Sequence, residues 1–180
     1  MISRCFALAL GLLALACTTP TEVAEVPGDL EYCAEVVDWP GEASAFEVEL
    51  LDRINEYREA GAICGTTPFE PSEPLTMHPS LRCAARVHAL DMAARDYVMH
   101  TTPEGIGFAD RAADAGFDLS VFGETLAAGL PSAEDVAVAW IGRETECVNL
   151  MNPDARELGV GFLAPDEATF ATYWVAVFGA

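Results

Sequence analysis

The chain has 180 residues, 52% of them hydrophobic, and sets 29 acidic side chains against 9 basic ones, a formal net charge of −20. So negative a surface repels phosphate backbones, which excludes nucleic-acid binding; a solubilising, salt-adapted surface is its simplest use. Every basic residue is arginine, and the length suits one domain with a full hydrophobic core.

The chain opens with MISRCFALALGLLALACTTPTEV: one arginine, Arg4, then an apolar run from Cys5 to Ala16. That run is too short to span a bilayer and reads as an export signal over residues 1–16. ALAC at 14–17 resembles a lipobox, in which Cys17 is acylated and becomes the new N-terminus; a simply cleaved signal is the alternative. A lipoprotein cysteine carries more than one acyl chain, enough for stable attachment. Thr18, standing where Asp would retain a lipoprotein, implies sorting to the outer membrane by resemblance to Gram-negative lipoproteins. The expected location is therefore the outer membrane through a lipid anchor alone, or else the periplasm or medium. Residues 17–43 are assigned to the lipidated terminus and a Pro-, Thr- and acid-rich tether, and residues 44–180 to the domain.

Within the domain, SAFEVELLDRINEYREAG places Glu47 three residues after Ser44, as in a capping box, and repeats Phe46, Leu50, Ile54 and Tyr57 at helical spacing up to Gly61. GTTPFEPSEPL, with three prolines, predicts an extended loop. A second, longer helix starts at Pro79, with His78 as its cap and Leu81, Ala85, His88 and Met92 on one apolar face. On that face His88 reads as a hydrogen-bonded core histidine. FADRAADAGF predicts a short helix ended by Gly116, and SAEDVAVAWIG a fourth with Ser132 as N-cap and Asp135 at the matching position.

ELGVGFLA and TFATYWVAVFG, separated by PDEA, predict a β-hairpin, to which VFGETLAAG adds a third strand. Helices first and strands late argue an α+β domain in which helices cover a small antiparallel sheet. Trp140 and Trp174, each in an apolar periodic segment, read as core residues. Besides Cys17, the exported part holds Cys33, Cys64, Cys83 and Cys147. Four thiols in an oxidising compartment read as two disulfides, and spacing alone leaves all three pairings open.

Six blocks in order, PLTMHPSLRCAARVHALDMAARDYVMHTTPEG, RAADAGF, GETLAAG, AEDVAVAW, CVNLMNPDARELGVGF and YWVAVFG, together resemble the bacterial branch of the CAP superfamily. That superfamily includes cysteine-rich secretory proteins, antigen 5 and pathogenesis-related proteins. The resemblance implies a three-layer α-β-α sandwich around a short antiparallel sheet. It also implies a disulfide between Cys64, in the "CG" after the first helix, and Cys147, which leaves Cys33 with Cys83.

The family's central cleft holds two His and two Glu and sometimes a divalent cation. By its motifs the first His matches His100 in MHTTPEG, and the first Glu matches Glu124 in GETL, where Thr125 replaces the usual Asn. The second Glu of eukaryotic relatives falls on Arg143 and is not carried over. The second His falls on Glu146, which removes an imidazole. The cleft set is thus His100, Glu124 and Glu146, able in principle to take Zn, Mg, Mn or Ca, although no cofactor is required. The alternative is that metal binding is lost and Glu146 is one more surface acid.

The expected function is a binding module, taken to be monomeric, whose ligand, a lipid, a small molecule or a protein, is not readable. One alternative is a metal-dependent envelope hydrolase using Glu124 or Glu146 as general base, but there is no HExxH and no nucleophile elbow. Another is an adhesion or structural module with an inert cleft.

Overall fold

The computed structural model describes residues 25–180. Cys17, the export signal and the first part of the tether lie outside the described residues.

Among the described residues five α-helices run α1 (Gly41–Ala60), α2 (Pro79–Arg95), α3 (Phe108–Asp114), α4 (Ala133–Ile141) and α5 (Glu144–Met151). Six strands run β1 (Ala62–Cys64), β2 (Thr67–Phe69), β3 (Thr76–Met77), β4 (Val121–Ala128), β5 (Glu157–Leu163) and β6 (Tyr173–Gly179). The main sheet has the order β3-β5-β6-β4, antiparallel except for the two-residue parallel pairing of β3 with β5.

The alternation of β6 builds the layers. Tyr173, Val175 and Val177 face α2 and α3, while Trp174, Ala176 and Phe178 join the larger cluster under α1, α4 and α5. The result is the α+β, α-β-α sandwich expected, with both tryptophans, Trp140 and Trp174, fully buried.

On β5, Gly159 and Gly161 are what let α2 lie so close. A Cβ on Gly159 would sit 2.0 Å from the carbonyl carbon of Leu81, and one on Gly161 2.4 Å from that of Ala85. Beyond Leu158 the outer edge of β5 has no strand partner among the described residues, and two side chains do a strand's work there. Glu47 accepts from the Phe162 N–H at 3.2 Å and Trp39 Nε1 donates to the Phe162 carbonyl at 3.2 Å.

This corrects the reading of Glu47 as a capping residue. Helix α1 begins earlier, after Pro40. Glu47 is fully buried between two arginines of α2, with Arg82 Nε at 2.8 Å and Arg86 Nε at 2.9 Å, while Ser44 Oγ accepts from Arg86 at 3.0 Å. The packed body also begins before residue 44: Val26, Cys33 and Val36 are buried against Cys83 and Ala84, and Glu31–Val36 form a short 3-10 helix.

Three other expectations need revision. The proline-rich segment is not wholly extended loop: β1 and β2 pair as a small ribbon. The second strand of the hairpin starts only at Tyr173. The fourth predicted helix is not the last, because the segment after Gly142 restarts as α5, which carries Asn149.

The remaining local expectations hold. His78 caps α2 by accepting from the Ser80 N–H, Pro79 opens it, and Ser132 Oγ accepts from the Asp135 N–H at 3.1 Å. The disulfides are Cys64–Cys147 and Cys33–Cys83, which tie α5 to the β1–β2 ribbon and the 3-10 helix to α2.

Candidate functional site

Helix α2 ends at Asp96, which adopts a left-handed conformation with φ 56° and turns the chain into the loop carrying Met99 and His100. Two buried side chains hold this loop. His88 Nε2 lies 2.9 Å from the Met99 carbonyl, and Arg111 of α3 donates to the carbonyls of His100 at 3.1 Å and Ile106 at 2.9 Å. A carbonyl only accepts, so His88 carries its proton on Nε2.

The loop delivers His100 to β4. Its Nδ1 lies 2.9 Å from Glu124 Oε1, and the other carboxylate oxygen accepts from Arg111 Nη2 at 2.6 Å. Glu124 and Arg111 are buried, whereas the His100 side chain is 57% exposed. A buried carboxylate, paired with a guanidinium, thus presents an imidazole edge to solvent. The Glu124 hydrogen bond raises the His100 pKa above its ordinary 6.5; partial burial and Arg111 oppose the shift, and Glu146 adds to it.

Helix α5 forms the other wall. Asn149 Nδ2 donates to the Glu124 carbonyl at 3.1 Å, and a Cβ on Gly123 would sit 2.4 Å from Asn149 Oδ1. The Gly-Glu pair therefore has a steric meaning: the glycine admits α5, and the glutamate projects under His100.

Glu146, half-buried on the first turn of α5, lies 3.6 Å from Arg143, and among the described residues it makes no hydrogen bond to either cleft partner. Both oxygens of Glu124 are engaged, one by a guanidinium. Among the described residues no group of three or more His, Cys, Asp or Glu is arranged to hold a metal ion. As placed, His100, Glu124 and Glu146 do not fit a resident cation, because the charge opposite Glu124 is supplied by Arg111.

The family model for the cysteine-rich secretory protein family, CAP, matches residues 51–178. The chain belongs to this family. Among curated proteins the CAP chain is 25% identical over 140 residues to the uncharacterized protein YkwD of Bacillus subtilis, a match covering 78% of this chain and 51% of the relative. It thus spans about half the length of that relative.

Among solved structures it is similar to an outer surface protein of Borrelia burgdorferi, with a TM-score of 0.64 and 20% identity over 77% of this chain and 92% of the other. It is also similar to an extracellular protein of Bacillus anthracis containing an SCP domain, with a TM-score of 0.56 and 22% identity over 78% of this chain and 43% of the other. At these identities the two structures speak for the fold.

Sequence reasoning missed Arg111 in this CAP domain. It was read only as part of a short helix, yet it binds Glu124 and holds the His100 loop. A signal was present: it is the one arginine of that helix in a chain with few cations, and buried arginines are rarely without a carboxylate.

Proposed function

We propose that this CAP domain is an exported binding module whose ligand-facing group is His100, set in place by Glu124 and Arg111. The reading rests on one observation: an exposed imidazole whose Nδ1 is held at 2.9 Å by a carboxylate that is itself fully buried and paired. A carboxylate that fixes one ring nitrogen leaves Nε2 directed to a partner, and the raised pKa keeps a proton there over more of the neutral range. His100 then acts as a charged hydrogen-bond donor to a carbonyl or carboxylate of the ligand. Export is supported by the N-terminal apolar run and two disulfides, and Cys17 is the proposed lipid anchor.

The test compares wild type with His100→Ala and His100→Gln. Binding of ligands captured from envelope extracts is expected to fall at least about tenfold in both variants, with no peptide cleaved by any of the three proteins. Peptide cleavage that is lost with His100 and restored by added metal ions would replace this reading with the hydrolase. Equal capture by all three proteins would leave a structural or adhesive module with an inert cleft.

A further inference from the structure

The backbone conformation of a residue is fixed once the two rigid peptide planes that meet at its Cα are fixed. At His100 those planes carry the Met99 carbonyl and the His100 carbonyl. Each accepts from a different buried side chain: the first from His88 Nε2 at 2.9 Å, the second from Arg111 Nη1 at 3.1 Å. The His100 side chain itself is 57% exposed and gains little direction from packing. Where its Nδ1 falls relative to Glu124 therefore depends on the two pinned planes.

Arg111 has a second task in binding Glu124. His88 has none: among the described residues it makes no hydrogen bond to Glu124 or to the His100 ring. Burial lowers its pKa and keeps the ring neutral. The pull on the His100 pKa comes from the Glu124 hydrogen bond, burial, and the charges of Glu124, Arg111 and Glu146. A neutral ring outside that set acts on His100 through the backbone.

His88 is also held firmly enough to serve as a pin. It is fully buried, and its ring stands edge-to-face against Tyr97 with centroids 6.0 Å apart. The Tyr97 hydroxyl donates to Asp91, which also accepts from Arg95 at 2.5 Å, and Arg95 reaches Glu104 on the outgoing arm of the loop at 2.5 Å. His88, Asp91 and Arg95 stand at i, i+3 and i+7 on α2, one stripe that meets the loop at Met99, Tyr97 and Glu104. Of these contacts only that of His88 falls on a peptide plane of His100.

We propose that His88 is a positioning residue of the His100 site: its Nε2 hydrogen pins the Met99–His100 peptide plane and thereby holds the His100 imidazole in line with Glu124. The inference rests on the reading of His100 as the ligand-facing group, but its test follows His100 ionisation and needs no ligand, so the two fail separately. With both planes pinned, His100 is aimed before a ligand arrives, and binding has little left to order.

The experiment is the His100 titration midpoint by proton NMR in His88→Phe, which keeps a buried ring and loses the donor, and in His88→Gln, whose amide restores one. His88→Phe should bring the midpoint down towards 6.5, and His88→Gln should keep it near the wild-type value. Ser132→Ala, which removes the cap of α4, should lower the melting temperature without moving the midpoint. In a Glu124→Gln background His88→Phe should add no further shift, because the interaction it acts through is already gone. Should His88→Phe not fold, nitrogen NMR of the wild type decides, with the His88 proton expected on Nε2. The proposal is overturned by a wild-type midpoint in His88→Phe, an equal fall in His88→Gln or in Ser132→Ala, a further shift in the Glu124→Gln background, or a His88 proton found on Nδ1.

Discussion

His100 and His88 lie twelve positions apart, and their environments pull them in opposite directions. The Glu124 hydrogen bond raises the pKa of His100, and burial lowers that of His88. Linkage gives the two opposite signs. The stabilisation from His100 is fully present below the unfolded value of 6.5 and is lost as pH rises through its higher folded value. The contribution of His88 is present above 6.5 and is lost as pH falls towards its lower folded value. His100→Ala should therefore cost more stability at about pH 5.5 than at about pH 9 by urea denaturation, and an equal cost at both would refute the assignment. Glu124→Gln should move the His100 titration midpoint, followed by proton NMR, back towards 6.5. At this scale His100 and Glu124 were legible from their motif context. Arg111 was not, because its partners lie in the preceding loop and on a strand, and helix periodicity carries no record of either.

Elements whose stop and start residues stand in the sequence, such as α2 with His78 and Pro79 at its head, were legible almost to the residue. Helix α5 was not: it follows α4 after only Gly142 and Arg143, its eight residues are too few for a periodic stripe, and its N-cap, Arg143, makes no side-chain cap. The approach of α2 to β5 was equally hidden, since Gly159 and Gly161 look like weak points of a strand until α2 is seen against them. Gly159→Ala is expected to cost about 3 kcal/mol, because the added methyl meets backbone and not a movable side chain. Gly41→Ala, with nothing within 4 Å of the new methyl, should be neutral. Thermal unfolding of the pair decides whether contact or glycine content sets the cost.

For the whole molecule, charge and covalent ties matter most. With a net charge of −20, the folded chain repels itself, and added salt screens that repulsion. The melting temperature should rise between low salt and about 0.5 M NaCl, and a fall would mean that attractive ion pairs dominate. Against that background the Glu47 cluster is a local inversion, two guanidiniums around one buried carboxylate, joining helices from both layers at the sheet edge. Glu47→Gln leaves two buried cations facing a neutral amide and should cost about 3–5 kcal/mol in chemical denaturation. Its role escaped sequence reading because Ser44 and Glu47 satisfy the spacing of a cap while their partners lie about 40 residues away.

The sheet order carries a consequence for how the chain is made. Strand β6 lies between β4 and β5, fully buried and paired along its whole length on both sides, yet it is the last of the six strands to be synthesised. Until residues 173–179 emerge, β4 and β5 have no common neighbour and both helical layers lack the central strand of the sheet they pack on. A nascent chain halted before Tyr173 should therefore stay loose and protease-sensitive, and a polypeptide that remains loose until its final stretch is made is well suited to being threaded through a translocation pore.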